Sequence, residues 1–288
     1  AGAICSRGSG AMGVKADGTL WNWGNGYNGK LGINISTPGN GGRSSPCQIP
    51  GSDWSDGYQH TMTMTWGAGA IKTDGTLWLW GDNTYGQLGQ NNKTLQSSPV
   101  QVGSGTDWKT ITGSIRGIAA LKTDGSLYTW GQNEYGQLGH NNIDATWDNY
   151  SSPKQVPGSW SYATMGYFYM HGVKTDGTLW GWGRNAQGVI GNNQTQTSPS
   201  GSGLKAKSSP VQIGSGTDWK QALMQMANSG AGAIKTDGTL WLWGDNEYGP
   251  LGQNENGNPA HRSSPCQVPG IWDTANSLNE TTSALKLL

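Results

Sequence analysis

The chain has 288 residues, with 18 basic side chains balanced by 18 acidic ones and only 12% of positions charged. That balance excludes the clustered Lys and Arg that a phosphate backbone demands, so no nucleic-acid partner is expected. No run of 18 apolar residues occurs, so no membrane insertion is expected either.

Leu, Ile, Val and Phe together make up about one residue in seven, a level that by itself suggests disorder. Disorder usually also carries a large net charge, and here the net charge is zero. Sixteen Trp and ten Tyr replace the missing aliphatic bulk, each burying more area than a Val. The 48 Gly then mark turns and close approaches. The composition describes a folded protein with an aromatic core.

Along the chain, Lys-x-Asp-Gly recurs five times, with its Asp at Asp17, Asp74, Asp124, Asp176 and Asp237. Each copy sits in a longer unit, and the repeat decides the fold. A Trp opens it (Trp54, Trp108, Trp160, Trp219), and an apolar run then closes on the Lys. Asp-Gly between two apolar stretches predicts a two-residue type I′ hairpin, with positive φ at both central residues. The following strand (Leu77-Trp78-Leu79-Trp80-Gly81 in the second copy) predicts one packed and one unpacked face, with Trp80, Trp130, Trp182, Trp243 and Trp23 in the core. A Gly-rich loop follows, then Ser-Ser-Pro-x-Gln, where Pro fits an outer strand because it donates nothing to a ladder. Four short strands in about fifty residues make one propeller blade.

The boundaries fall at approximately 1–53, 54–107, 108–159, 160–218 and 219–271, with a partial copy at 272–288, all within a single repeat domain 1–288. Trp272 and Lys286 are spaced like Trp108 and Lys122, so the partial copy holds the first two strands of a blade. Exposed edge strands are avoided by soluble proteins, so either the chain's ends pair or more blades lie beyond them. The fold expected is all-β: a β-propeller of four-stranded blades, five full repeats plus a partial sixth.

The loops Gly131-Gln132-Asn133-Glu134-Tyr135-Gly136-Gln137-Leu138-Gly139 and Gly244-Asp245-Asn246-Glu247-Tyr248-Gly249-Pro250-Leu251-Gly252 carry a specific resemblance. With the aromatic-x-Trp-Gly strand before them, they resemble the regulator-of-chromosome-condensation repeat family of β-propellers. The resemblance covers essentially the whole chain and implies the fold, while propellers host many functions. Many members have a His five residues before the Lys, where this chain has Gly10, Gly67, Gly117, Tyr169 and Gly230. Relatives of this kind include exchange factors, an ultraviolet photoreceptor and an inhibitor of β-lactamases. The first two fit poorly, since basic patches and Trp-Arg clusters are absent.

Candidate chemistry is sparse. Gly24-x-Gly26-x-x-Gly29 and Gly8-x-Gly10-x-x-Gly13 match the dinucleotide fingerprint, but no helix follows either, so no cofactor is expected. The Asp-Gly carboxylates recur once per blade, too far apart to share an ion. His60, His140, His171 and His261 lack metal-ligand spacing, and no nucleophile elbow exists. Cys5, Cys47 and Cys266 do not form a disulfide framework.

Between the opening Trp and the Lys the copies diverge: Tyr58-Gln59-His60 with Trp66, then Ser114-Ile115-Arg116, then Tyr167 to His171, then Met224 to Ser229. Off-pattern aromatics, Arg and His at one structural place predict a partner face made of Trp66, Arg116, Phe168, Tyr169 and His171. The polar loops at Ile33–Arg43, Asn141–Tyr150 (with Trp147), Asn192–Lys207 and Asn254–Arg262 are expected to be plain connections. The function expected is a non-catalytic protein-binding or scaffold propeller in an extracellular, surface or virion-associated setting. Its alternatives are glycan binding, through stacking on sugar rings, and structural decoration of a larger assembly.

Overall fold

The computed structural model describes residues 4–6, 10–35, 41–57, 59–142, 149–194, 206–223, 230–255, 261–278 and 281–286. Its strands form five antiparallel sheets, each a meander in chain order. Blade 1 holds β1 (Ile4–Ser6), β2 (Gly10–Val14), β3 (Leu20–Gly24) and β4 (Arg43–Gln48). Blade 2 holds β5 (Thr61–Thr63), β6 (Gly67–Ile71), β7 (Leu77–Gly81) and β8 (Gln96–Gln101). Blade 3 holds β9 (Trp108–Gly113), β10 (Gly117–Lys122), β11 (Leu127–Gly131) and β12 (Tyr150–Val156). Blade 4 holds β13 (Trp160–Met165), β14 (Tyr169–Lys174), β15 (Leu179–Gly183) and β16 (Lys207–Gln212). Blade 5 holds β17 (Trp219–Ala222), β18 (Gly230–Lys235), β19 (Thr239–Gly244) and β20 (Arg262–Leu278). β20 runs on past its blade and pairs with β21 (Thr281–Lys286), setting Trp272 opposite Lys286. Trp108–Lys122, Trp160–Lys174 and Trp219–Lys235 pair in the same register, so this hairpin is the start of a sixth blade. Among the described residues there is no α-helix, and so none long and apolar enough to cross a membrane.

The chain divides into two compact units. One comprises residues 1–132 and 149–155, and the other residues 133–148 and 156–288. The first unit shows how a blade is buried. One face of blade 2 (Ala68, Ala70, Trp80) packs on Met12, Leu20 and Ile49 of blade 1. The other face (Met62, Met64, Ile71, Leu77, Leu79) packs on Trp108, Ile111, Ile118, Ala120 and Trp130 of blade 3. The third strand is therefore buried on both faces, and the expectation of one unpacked face is corrected: stacking covers what an isolated sheet leaves wet. Trp80, Trp130, Trp182 and Trp243 are fully buried as expected. Trp23 is only half-buried and corrects the fifth assignment.

The repeated residues act between blades. In the first unit the indole N–H of Trp80 donates to the Lys30 carbonyl of the preceding blade's loop at 2.9 Å, and Trp130 donates to Gln87 at 2.9 Å. In the second unit Trp243 donates to Val189 at 2.8 Å. In blades 1 to 4 the N–H of the post-loop Asn reaches a Ser carbonyl in the next blade's fourth strand: Asn34 to Ser97, Asn91 to Ser151, Asn141 to Ser208, Asn193 to Ser263, at 2.7–2.8 Å. Those Ser lie where the fourth strand bulges, since Gly81 faces Gln96 but Leu79 faces Val100.

Within a blade, the repeated Lys lies over aromatic rings. Lys72 sits 5.1 and 5.0 Å from the centroids of Trp54 and Trp78, and Lys174 lies 5.4 and 3.7 Å from Trp160 and Trp180. The Asp-Gly turn is also corrected. Lys15 N–H donates to Thr19 O at 2.9 Å and Gly18 N–H to Lys15 O at 3.0 Å, while only Gly18 has positive φ, at 78°. That is a three-residue hairpin loop with its glycine in the left-handed region; the copies at Gly75, Gly125 and Gly177 repeat both bonds, and that at Gly238 repeats the Gly–Lys bond and the positive φ. The reason lies in the Asp. Its carboxylate accepts both the Thr19 N–H (3.0 Å) and the Thr19 hydroxyl (2.6 Å), and the Trp21 indole donates to that hydroxyl in turn (2.9 Å). These bonds also hold the Asp17 carboxyl below its usual range.

Candidate functional site

Trp66, Arg116 and Phe168 occupy one structural position, immediately before the second strand of blades 2, 3 and 4. Each carbonyl accepts a hydrogen bond from the residue that follows the third strand: Asp82 to Trp66, Gln132 to Arg116, Arg184 to Phe168, at 2.8–2.9 Å. The glycine ending that third strand (Gly81, Gly131, Gly183) has φ of 96–106°. A Cβ there would lie 2.4–2.6 Å from the same carbonyls, so only glycine lets the strands cross this closely. The Gly-rich loop that starts at this point is therefore hung from the site residue of its own blade.

That loop carries a Tyr to the next blade. In the first unit, Tyr27 of blade 1 meets Trp66 edge-on, with centroids 6.4 Å apart, and both rings are 37% exposed. Tyr85 of blade 2 lies under the Arg116 guanidinium at 4.5 Å. In the second unit, Tyr135 packs on Phe168 at 4.9 Å and Tyr167 on Phe168 at 4.1 Å. Arg184 lies over Tyr135 at 5.4 Å and over Phe168 at 5.9 Å. Burial, followed by the neighbouring Glu134, pushes the Tyr135 phenol up.

The loops are stiff. Buried Asn83 and Asn133 each accept the backbone N–H of the loop's Leu, Leu88 at 2.9 Å and Leu138 at 3.1 Å. The side-chain carbonyls of Gln87 and Gln137 accept the Tyr85 and Tyr135 N–H groups at 2.9 and 2.8 Å. Blade 4 has Gln187 in place of the Tyr. Blade 5 has Tyr248, whose side is 85% exposed. Its partner by repeat position is Glu280, which lies outside the described residues, as do Met224 to Ser229 and Trp147.

Tyr169 and His171 correct the expected face. Both are buried on β14 and touch no solvent-facing surface. The Tyr169 hydroxyl donates to the Gly230 carbonyl of blade 5 at 2.6 Å, and its ring meets His171 at 5.5 Å. His171 packs edge-on against Trp243 at 5.3 Å. Burial pushes its pKa down to about 4, so the ring is neutral at pH 7. The Val189 and Ile190 backbone offsets part of that burial, although neither ring nitrogen makes a well-formed hydrogen bond. These two residues fill space between blades. Sequence reasoning missed Tyr85, Tyr135 and Arg184, because they stand at framework positions of the loop. The Tyr that recurs two residues after the loop Asn was the available signal.

Among the described residues one Ser–His contact occurs in the first unit. Ser55 Oγ lies 2.5 Å from His60 Nδ1, but the pair closes a loop inserted between Trp54 and β5, and the Gly57 N–H points at the same Ser oxygen. Among the described residues no group of His, Cys, Asp or Glu is arranged to hold a metal ion. Cys5, Cys47 and Cys266 are free and half-buried.

The model of the regulator of chromosome condensation (RCC1) repeat matches residues 74–120, 124–168 and 237–275. The Ultraviolet-B receptor UVR8 of Arabidopsis thaliana is 28% identical over 263 residues, which is 85% of this chain and 53% of that protein. The chain thus spans about half the length of the curated relative it matches. Among solved structures, human WBSCR16 superposes with a TM-score of 0.77 at 18% identity, covering 99% of this chain and 71% of that one. Yeast RCC1 (Prp20), crystallised bound to Kap60, superposes with a TM-score of 0.78 at 16% identity, covering 98% and 67%. At these identities the solved structures speak for the fold: RCC1 repeats lie over the matched residues, and the chain has an RCC1-like β-propeller fold.

Proposed function

We propose that the chain is a non-catalytic binding or scaffold module that engages a protein partner through the blade ends carrying Trp66, Arg116 and Phe168. The observation that carries this reading is the recurrence of one device. At the same position of three blades a large side chain stays partly exposed, braced on a neighbouring aromatic ring. Exposed aromatics and Arg at a rigid position are the residue types that dominate protein interfaces. Yeast RCC1 was itself crystallised with a protein, Kap60, which supports a protein partner by analogy of fold.

The test compares wild-type protein with the Trp66→Ala, Phe168→Ala double variant as bait against extracts of the source. A protein retained by the wild type and lost at least tenfold from the variant supports the reading. Equal retention overturns it. A glycan array run on both proteins addresses sugar stacking: glycan binding lost in the variant would replace the protein partner with a carbohydrate one.

A further inference from the structure

The cations of the first unit are mostly committed within the fold. Lys15, Lys72 and Lys122 lie over aromatic rings, and Lys122 also pairs with Asp107 at 3.0 Å. Arg43 donates to the Gly42 carbonyl. Arg116 differs. Its guanidinium is half-exposed above Tyr85, and among the described residues no carboxylate lies within ion-pair distance of it. The acid that opens the same loop, Asp82, is turned inward. Its Oδ1 accepts the N–H and hydroxyl of Thr84, and its Oδ2 accepts the Gln87 amide.

A guanidinium packed over a phenol ring has given up part of its rotamer freedom already, so less is lost when a planar anion meets it. The loop beneath it is held by buried Asn83 and Gln87, so the shelf does not have to form on binding. The exposed indole of Trp66 stands at the same position of the preceding blade. The Asp82 N–H bond to the Trp66 carbonyl hangs from it the loop whose Tyr85 carries Arg116. Consecutive blades of the first unit therefore offer an apolar plate and then a cation.

Resting on the protein-binding reading above, we propose that the first unit docks an acidic peptide segment of its partner. A Glu or Asp carboxylate accepts a bidentate pair of hydrogen bonds from Arg116, and a neighbouring apolar side chain lies on Trp66. The carboxylate is the anion whose planar fork matches guanidinium within a polypeptide. Charge complementarity then decides register and partner choice, while the Trp66 contact supplies buried area.

The probe is a phage-displayed library of random peptides panned on the full chain. Selected peptides are expected to be enriched in Asp or Glu beside an apolar residue. By fluorescence anisotropy, Arg116→Gln should weaken a selected peptide by about tenfold, as for loss of a charged hydrogen-bonded pair. Arg116→Lys keeps the charge without the fork and should weaken it less. Peptides that lose binding on Trp66→Ala but show no acidic bias would overturn the proposal and leave the protein-binding reading standing. So would acidic peptides whose affinity Arg116→Gln leaves unchanged. If Arg116→Gln melts early, Arg116→Lys decides the matter, and full affinity in that variant removes the bidentate pair. Selection identical to that of the Trp66→Ala, Phe168→Ala variant overturns both proposals.

Discussion

In blade 2, Gly69 faces Leu79 across the ladder, and a Cβ on Gly69 would fall 2.4 Å from a Leu79 methyl. Blade 5 repeats this with Gly232 and Leu242, at 2.6 Å. In blade 4 the large and small partners are exchanged: His171 faces Gly181, and a Cβ on Gly181 would fall 3.0 Å from the imidazole. In these three blades one cross-strand pair thus holds a roughly constant volume, assigned to either strand. The exchange also replaces an aliphatic side chain with a titratable one in a fully buried place. Divergence between repeats at a single position can therefore record repacking, and only exposure separates it from recognition.

The comparison can be broken by moving blade 4 toward blade 2. Gly181→Leu should drive a side chain into His171 and the Ile190 carbonyl, and His171→Gly should leave a cavity, each costing about 2–4 kcal/mol. The double variant should regain more than half of the summed loss in urea unfolding. Additive losses would show that the pair does not share one volume.

A second expectation follows from the titratable member. With the folded pKa of His171 depressed to about 4, the unfolded chain binds a proton that the folded chain refuses. Stability from this group is complete above about pH 6.5 and falls as pH drops toward 4, by at most about 3 kcal/mol. The turn carboxylates, depressed by their Thr and Ser hydrogen bonds, begin to act below about pH 5 and add equally to the slopes of wild type and double variant near pH 4. Unfolding curves at pH 7, 5.5 and 4 should show a steeper slope in wild type than in the double variant, which keeps the smaller contribution of His60, whose pKa burial also lowers; equal slopes would clear His171 of the effect.

The smallest effect concerns Tyr169, which stands where the other blades have glycine. Tyr169→Phe removes the hydroxyl bond to the Gly230 carbonyl and should cost about 1 kcal/mol, without altering partner capture. Loss of capture would return Tyr169 to the binding surface.

Local chemistry made much of this legible from sequence. The Lys-x-Asp-Gly interval located every blade, and the Trp272–Lys286 spacing anticipated the β20–β21 hairpin. Turn type was misread because Asp-Gly states only that a positive φ is needed. The Asp17–Thr19 bonds, which keep the Asp out of that region, depend on the residue after the pair. Burial of the site residues was less legible. Tyr169 and His171 looked like Trp66 and Phe168, since all four are bulky departures from a small-residue pattern. Whether such a side chain points into the stack depends on its place in the pleat, on a compensating gap such as Gly181 and on a partner such as the Gly230 carbonyl. These lie ten and sixty-one residues away.

In blades 1 to 4 the post-loop Asn is bonded to a Ser carbonyl of the following blade, and the chain then returns to the Ser-Ser-Pro bulge of its own blade. Both ends of the intervening stretch are thus anchored. From Asn91 to Ser97 the chain takes six steps, and from Asn193 to Ser208 it takes fifteen, with the same bonds formed at each end. Length between the anchors is mechanically decoupled from the ladder. Residues can accumulate there without moving a strand, so the protein holds a ready place for inserted sequence in each repeat.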